Sequence, residues 1–365
     1  MKKLVIPILH FRFMWCGGRT LARSYTQPKT GQQQKRMVNK SNIRWAILGA
    51  GRIAHKFAQD FATTQRGVLV AVAARDVDRA QAFATQYNIP AVYSYEALYE
   101  SNDVDAVYIA TPHNFHYEQS RRCMEGGKAV LCEKPVTLND GEFKKLAALA
   151  KEKNVFFMEA MWTYFLPALQ QAKQWLDSGR IGTLKLLQAD FGVTMPYEPQ
   201  SRLYNLELAG GSLLDIGVYA VAFAHYFAGR PLAVKASGII GATGIDESLG
   251  MLLQYAEIPA LLTTSITTRL RNKGLLFGDA GFIELPEFWK ARKAMLYNSE
   301  HELVETFEDD RTTWGYNFEI QAATDAILAG ALESAVMPHE KSNDLQELMT
   351  GVRRQIGLKY PMETL

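Results

Sequence analysis

Short apolar runs alternate with helical stretches between residues 43 and 160. The run Ile43-Arg44-Trp45-Ala46-Ile47-Leu48 ends abruptly at Gly49, and a second run at 68–74 closes a strand–helix–strand unit. Nearly continuous apolar runs of this length are typical of parallel strands buried on both faces. The same pattern predicts strands at 91–93, 106–110, 129–132 and 155–158, separated by helices at 77–87, 95–100, 115–126 and 139–153. We therefore expect an α/β domain with a doubly wound parallel sheet.

The pattern changes after Glu159, where longer segments of alternating polarity follow a helix predicted at 164–178. Alternation of this kind indicates an antiparallel sheet with one face covered by helices. The predicted strands are 183–194, 232–241, 248–256, 259–268, 274–278 and 294–298, and the predicted helices are 212–228, 313–331 and 342–358. We expect the doubly wound domain to span 41–160 and an α+β domain to span 161–365, with the last helix packing back on the first domain.

Length, charge and cysteine content limit the function classes. A chain of 365 residues is long for one core, and no apolar run reaches the ~20 residues that span a bilayer. Residues 1–40 hold nine Lys/Arg and no Asp/Glu, so subtracting nine from the net charge of +2 leaves about −7 for residues 41–365. A mildly acidic folded part argues against nucleic-acid binding. Three cysteines without a C-x-x-C pair suit a reducing compartment.

The basic segment 1–40 has several interpretations. Lys2-Lys3 and the apolar residues 4–9 resemble the start of a secretory signal, but His10 and Arg12 interrupt the run and no suitable cleavage site follows. The acid-free, Arg-rich composition also fits a transit peptide. The alternative is an extension of an ordinary chain that starts at Met37. We expect a cytoplasmic enzyme.

The first strand is followed by a glycine-rich turn that opens a helix. Gly49 allows a tight turn, Gly51 lets the backbone approach a pyrophosphate, and Ala54 allows close packing of the helix on the strand. The exposed N–H groups at the helix start favour phosphates. The sequence therefore predicts a dinucleotide site, and the residues expected to form it here are Gly49, Gly51, Arg52, Ile53 and Ala54.

The residue after the second strand selects the cofactor. NAD sites usually have a carboxylate there, whereas this chain has Arg75, 21 residues after Ala54, with Arg79 one turn further. A guanidinium pairs with a 2′-phosphate. NADP is therefore favoured, and NAD remains the alternative because a register shift of one residue would place Asp76 at that point.

Candidate site residues follow the fourth, fifth and sixth strands, where open parallel sheets bind ligands. They are Thr111, Pro112, His113 and His116; Glu133 and Lys134; and Glu159 and Trp162. A lysine held between a strand and a proline is rigid and partly desolvated, so it can relay a proton or bind a hydroxyl. In the second domain Asp215 and Tyr219 are four residues apart and share one helical face. Side by side they could orient and deprotonate an alcohol, particularly if the Lys134 ammonium lowers the phenol pKa. The alternative is a capping Asp and a core Tyr. His113 and His116 lack a third ligand at motif spacing, so we expect no metal.

Four motifs in this order resemble the glucose-fructose oxidoreductase/inositol dehydrogenase/rhizopine catabolism family. They are the G-x-G-x-x-A loop at Gly49, T-P-x-x-x-H at Thr111, E-K-P at Glu133 and G-G-x-x-x-D-x-G-x-Y at Gly210. Tyr219, where many members have His, and the segment Met158–Trp162 are similar to the branch of dimeric dihydrodiol dehydrogenase and NADP-linked D-xylose dehydrogenase. The resemblance covers residues 43–360.

The resemblance implies a Rossmann domain, a second domain with a large open sheet, and dimerisation through that sheet. It further implies that Lys134 contacts the reacting hydroxyl, that Tyr219 is a general acid/base, and that Asp215 helps to position the substrate. Independently of the resemblance, Trp162 could line an apolar substrate wall, although the aromatic cluster around it is typical of a core. The cofactor site would also include Thr111, Pro112, His113, His116, Glu133 and Lys134. The implied reaction is hydride transfer between NADP and a secondary alcohol of a sugar, cyclic polyol or trans-dihydrodiol. Whether Lys134 or Tyr219 accepts the proton stays open, and a non-catalytic dinucleotide- or sugar-sensing regulator is the alternative.

Overall fold

The computed structural model describes residues 41–363, and its first domain contains a parallel sheet of six strands in the order β3-β2-β1-β4-β5-β6. The strands are β1 Ile43–Leu48, β2 Gly67–Ala73, β3 Ala91–Tyr93, β4 Ala106–Ile109, β5 Ala129–Glu133 and β6 Phe157–Ala160. The connecting helices are α1 Arg52–Phe61, α2 Val77–Tyr87, α3 Tyr95–Glu100, α4 His116–Glu125 and α5 Asp140–Lys153. The strand order reverses between β1 and β4, and this switch point is where doubly wound sheets bind ligands.

The second domain contains a sheet of eight strands in the order β14-β13-β12-β11-β7-β10-β9-β8. The strands are β7 Leu184–Gly192, β8 Ala233–Ile240, β9 Asp246–Gln254, β10 Pro259–Ser265, β11 Lys273–Gly278, β12 Gly281–Pro286, β13 Lys293–Asn298 and β14 Leu303–Glu308. The pairs are antiparallel except β10 with β7. The helices are α6 Pro167–Asp177, α7 Val218–Ala228, α8 Tyr316–Leu328 and α9 His339–Gln355.

These two sheets confirm the predicted fold class. The helices of the first domain begin and end within about two residues of the predicted bounds, whereas β6 lies two residues later than predicted. Strands β12 and β14 were not predicted from the sequence. In β12 the glycine and proline at the ends mask a six-residue alternating strand, and in β14 nearly every residue is exposed, so no apolar face marks it.

Two apolar clusters form the core. One lies on a single face of the first sheet, around Leu48, Val130 and Phe143. The other begins on the opposite face at Trp45 and continues without interruption to Phe223 in the second domain. Helix α8 packs on α1, and α9 packs on both α5 and α7. The two domains therefore share one continuous hydrophobic interior.

The helical stretch Leu206–Ala228 is long and apolar enough to cross a membrane, and the mean hydropathy of its most apolar 18 residues is 1.4. However, 78% of its most apolar window is buried inside the fold. That burial is typical of a core helix, so the stretch is weak evidence for a membrane span.

Candidate active site

The turn between β1 and α1 needs glycine at its first position. Gly49 has φ +104°, and a Cβ there would lie 2.9 Å from the carbonyl oxygen of Ala110. At Gly51 a Cβ would come no nearer than 3.8 Å to that oxygen, so protein packing does not demand glycine there. The bare Cα of Gly51 instead keeps open the space in front of the helix.

Helix α1 begins without a side-chain cap, as does α4, whereas the other three helices of the first domain are capped. Asp76, Ser94 and Asn139 each accept a hydrogen bond from a backbone N–H at the start of α2, α3 and α5, whereas the N-cap of α1 is Gly51. Free N–H groups and the positive end of the helix dipole bind phosphate oxygens. Behind this end, Ala54 is fully buried, Ile53 is half-buried and Arg52 is exposed. The predicted residues therefore fit a dinucleotide pyrophosphate.

Arg75 and Arg79 are exposed just beyond the carboxyl end of β2. The Asp76 carboxylate, which would compete for the same position, caps α2 by accepting a hydrogen bond from the Arg79 N–H at 3.1 Å. Arg75 follows the end of β2 and Arg79 lies in the first turn of α2, the region where the adenosine ribose binds in such folds.

The segment after β4 holds the two histidines in different roles. His113 is buried in a short 3-10 turn that follows Pro112, and its Nε2 lies 4.0 Å from the Asp215 carboxylate. Burial and Arg202 lower its pKa well below the usual value, so the imidazole is neutral. His116 points into the fold, with its ring nitrogens 2.8 Å from the carbonyl oxygens of Thr111 and Pro135. His116 therefore ties the loop after β4 to the loop after β5.

Glu133 is the last residue of β5 rather than a residue beyond it, because the strand runs one residue further than predicted. Its carboxylate accepts hydrogen bonds from the Tyr108 hydroxyl at 2.5 Å and from the Lys134 N–H at 3.2 Å. Burial raises its pKa, which Lys134 and Tyr108 partly oppose. Glu159, likewise expected beyond β6, lies within that strand and accepts a hydrogen bond from the Val136 N–H at 3.1 Å. Burial raises the pKa of Glu159 to about 7.

Lys134 reaches across from the first domain to the second. Its Nζ donates to the backbone carbonyl of Asp215 at 2.6 Å and lies 4.0 Å from the Asp215 carboxylate. The carbonyl lies in a π-helical turn, Leu213–Gly217, closed by a hydrogen bond from the Val218 N–H to the Leu213 carbonyl. Burial lowers the pKa of Lys134, and the Asp215 and Glu133 carboxylates oppose this shift.

Arg202 is a site residue that sequence reasoning missed. Its Nη2 donates to the Asp215 carboxylate at 2.7 Å, and its Nη1 lies 3.5 Å from the ring of His113. Burial alone would raise the pKa of Asp215, but Arg202 and Lys134 outweigh it and hold the pKa well below its usual value. Asp215 is therefore ionised. Arg202 lies in a loop without periodicity, so no sequence pattern marked it.

Tyr219 packs against Lys134 through its ring rather than through its hydroxyl. Lys134 Nζ lies 4.6 Å from the ring centroid, and the indole Nε1 of Trp162 donates to the Tyr219 hydroxyl at 2.9 Å. The pKa of the phenol is raised rather than lowered. Burial raises the pKa of Tyr219 well above its usual value, Glu133 adds to this, and the Trp162 hydrogen bond opposes it. Tyr219 is therefore a protonated phenol at neutral pH.

Aromatic rings surround Tyr219. Phe191 lies 5.9 Å from Tyr219 between ring centroids and stacks on Trp289 at 3.8 Å. Trp162 stacks on Tyr316 at 4.8 Å. Of these aromatic residues, only Trp162 was predicted from the sequence, because Phe191, Trp289 and Tyr316 lie in β7, the β12–β13 connection and α8 and meet only in the fold.

Among residues 41–363 no group of three or more His, Cys, Asp or Glu side chains is placed to hold a metal ion. The rings of His113 and His116 lie 5.8 Å apart, and His116 is engaged by backbone carbonyls at both nitrogens.

Comparisons with known proteins agree with this geometry. Residues 43–161 match the model of an oxidoreductase family with an NAD-binding Rossmann fold, and residues 169–284 match a GFO/IDH/MocA C-terminal domain. The chain is 35% identical to trans-1,2-dihydrobenzene-1,2-diol dehydrogenase of Mus musculus, over 88% of this chain and 99% of the relative. The human protein of the same name is 34% identical over the same shares.

A solved structure of a 3-ketoreductase variant from Actinomadura kijaniata, in complex with TDP-benzene and NADP, is 26% identical with a TM-score of 0.78. The alignment covers 86% of this chain and 98% of that one. Together with the dinucleotide turn and the buried lysine described above, these matches place the chain in the Gfo/Idh/MocA oxidoreductase family, as an NAD(P)-dependent dehydrogenase that acts on CH–OH groups.

Proposed function

We propose that this protein oxidises a secondary alcohol of a sugar, cyclic polyol or trans-dihydrodiol with NADP, reversibly. The observation that supports this most strongly is the meeting of Lys134, Tyr219 and Asp215 beside the carboxyl end of β5, where Lys134 Nζ touches the π turn at 2.6 Å. The substrate oxygen would lie between the Lys134 ammonium and the Tyr219 hydroxyl.

The charges of these groups suggest how the proton moves. Burial makes Lys134 a stronger acid than usual and Tyr219 a weaker one, so a neutral amine forms before a phenolate. We therefore assign proton acceptance during oxidation to Lys134. Tyr219 accepts a hydrogen bond from Trp162 and is free to donate its own proton in a hydrogen bond to the substrate oxygen. Asp215, ionised and held by Arg202, would accept a hydrogen bond from a second substrate hydroxyl.

The dinucleotide supplies the hydride acceptor when it is bound. Gly49, Gly51 and the uncapped start of α1 would hold its pyrophosphate. Arg75 and Arg79, which are exposed at the end of β2 and not neutralised by Asp76, support NADP rather than NAD.

The aromatic surroundings favour a substrate with a ring. Trp162 and Phe191 flank Tyr219, and such faces pack against the apolar face of a cyclic diol or a pyranose. The relatives named for trans-1,2-dihydrobenzene-1,2-diol support the dihydrodiol member of this class.

We also propose that the protein is a homodimer formed through the open face of the eight-stranded sheet. This face carries Ile239, Leu252 and Leu261, exposed by 64%, 40% and 44%, and Leu252 and Leu261 are direct cross-strand partners. Contiguous apolar side chains on an uncovered sheet face are characteristic of an interface.

The decisive experiment measures reduction of NADP⁺ and of NAD⁺ at 340 nm with a panel of aldoses, inositols and trans-dihydrodiols. We expect turnover with at least one cyclic diol or aldose and a higher kcat/KM with NADP⁺. Absence of turnover on every member, despite tight binding of NADPH, would contradict the proposed activity.

A further inference from the structure

The carboxylate of Asp60 links the two domains. Asp60 is the penultimate residue of α1, is 2% exposed, and accepts three backbone hydrogen bonds from the start of α8. The Trp314 N–H donates to Oδ1 at 3.0 Å, and the Gly315 and Tyr316 N–H groups donate to Oδ2 at 2.9 and 2.8 Å. An aspartate in one domain thus acts as the N-terminal cap of a helix in the other.

The segment that Asp60 holds needs this support. Gly315 has φ +111°, a conformation that L side chains rarely adopt. Gly315 is also the N-cap residue of α8, and because it has no side chain it cannot cap the helix itself. A Cβ at Gly315 would lie 2.8 Å from Leu166 and 3.3 Å from the ring of Trp162. The segment Trp314–Tyr316 that leads into α8, called the strap below, therefore packs directly against Trp162, the tryptophan that contacts Tyr219.

The next residue continues the connection. The Tyr316 ring is 4% exposed and stacks on Trp162 with centroids 4.8 Å apart and an interplanar angle of 13°. Trp162 in turn donates its indole N–H to the Tyr219 hydroxyl at 2.9 Å. Each link is a short, directional contact, and all four side chains are buried.

We propose that Asp60 is a positioning residue for the reaction. By fixing the backbone at Tyr316, Asp60 holds the stack on Trp162 and so orients the Tyr219 hydroxyl toward the substrate oxygen. The inference rests on the function proposed for Tyr219. It also connects the two halves of the site, since α1 presents its first turn to the dinucleotide and its last turn to this strap.

The test compares Asp60→Asn with the wild-type enzyme. An asparagine must direct its amide NH₂ at one set of backbone donors, so it loses at least one bond and places donor against donor. We expect kcat to fall about 10- to 100-fold through misplacement of the Tyr219 hydroxyl, while KM for NADP⁺ changes less than about twofold. Asp325→Asn makes the same charge change at an exposed position of α8 and is the matched control, with kcat unchanged.

Two further comparisons separate positioning from a general loss of structure. Tyr316→Leu, which removes the stack, should reproduce the kcat loss. Tyr316→Phe, which keeps the ring, should retain most of the wild-type kcat. Trp162→Phe removes the indole donor, so the double variant with Asp60→Asn should lose no more kcat than Trp162→Phe alone. Additive losses in the double variant would overturn the proposal.

Amide hydrogen exchange provides a readout without turnover. Asp60→Asn should speed exchange in peptides that contain Trp314–Tyr316 and in those that contain Trp162. Faster amide exchange at Trp314–Tyr316 alone, with kcat unchanged, would mean that Asp60 only caps α8, and it would overturn the inference. A wild-type protein without dehydrogenase activity would instead contradict the proposed function, and the exchange rates at Trp162 would still decide whether Asp60 controls this segment.

Discussion

Lys134 binds the backbone of Asp215 rather than its carboxylate. The Nζ atom lies 2.6 Å from the carbonyl oxygen and 4.0 Å from the nearest carboxylate oxygen, which Arg202 occupies instead. A direct ion pair would keep the ammonium strongly charged. The observed arrangement leaves Lys134 anchored but able to exchange its proton.

Replacing Lys134 should remove the reaction and spare the cofactor site. For Lys134→Met we expect kcat/KM to fall at least about 10³-fold, because both the proton acceptor and a cation at the developing alkoxide are lost. NADPH binding, measured by quenching of tryptophan fluorescence, should stay within a few-fold of wild type. The control is Lys151→Met, an exposed lysine of α5, which should keep full activity. Retained turnover in Lys134→Met would remove this lysine from its proposed role.

The pH dependence of kcat/KM should follow the protonation of Lys134. Oxidation needs the neutral amine and carbonyl reduction needs the ammonium, so oxidation should rise and reduction should fall as the pH passes through the lowered pKa of Lys134. Asp215 raises that pKa, so Asp215→Asn should move both limbs to lower pH. Profiles of kcat/KM in the two directions test this. A shift to higher pH in Asp215→Asn would contradict the assignment.

Cofactor preference should depend on one end of β2. Arg75→Asp places a carboxylate where a 2′-phosphate would bind, so we expect the NADP⁺/NAD⁺ ratio of kcat/KM to fall at least about tenfold. Arg66→Asp makes the same charge change just before the amino end of the same strand and should leave the ratio unchanged. An unaltered ratio in Arg75→Asp would mean that another group recognises the 2′ position.

The buried pair of Arg353 and Glu363 should stabilise the fold. Arg353 donates to both Glu363 oxygens at 2.5 and 2.7 Å and to the Leu138 carbonyl at 2.6 Å. Arg353→Ala leaves a buried carboxylate without its partner, which costs about 3–5 kcal/mol. Urea unfolding measures the loss, and the exposed neighbour Arg354 offers the control, since Arg354→Ala should change the free energy of unfolding by less than about 0.5 kcal/mol. Equal effects of the two variants would rule out a special contribution from the pair.

Assembly should depend on the open sheet face. Leu252→Asp with Leu261→Asp puts two charges at a directly opposed pair, and we expect the dimer to dissociate in light-scattering measurements of molar mass. Val68→Asp, at an exposed position of β2, should leave the mass unchanged. A monomeric wild-type protein, or an intact dimer of the double variant, would contradict the proposed interface.

Local patterns predicted most of the fold because buried parallel strands and their helices have distinct periodicities. The strand ends also led to Lys134 and the dinucleotide turn, and helical spacing led to Asp215 and Tyr219. The residues that were not predicted have another feature in common. Arg202, Asp60 and Tyr316 matter through partners in distant segments, and Asp60 contacts a residue 256 positions away. No periodicity encodes such a contact.

The protonation of Tyr219 could not be predicted for the same reason. The sequence suggested only that the Lys134 ammonium lies near Tyr219. In the fold the Tyr219 phenol is buried, and the ammonium lies over its ring face. The balance between burial and charge depends on three-dimensional placement, which the spacing of Asp215 and Tyr219 does not contain.

The π-helical turn at Leu213–Gly217 has a consequence for how this site can diverge. One residue more or less in a helix rotates everything beyond it by roughly 100°. Deleting a single codon here would regularise the helix and turn either the Asp215 carbonyl or the Tyr219 ring away from the lysine. Point substitutions around the site can change which substrate binds. The number of residues in this turn, however, must stay constant for Asp215 and Tyr219 to face Lys134.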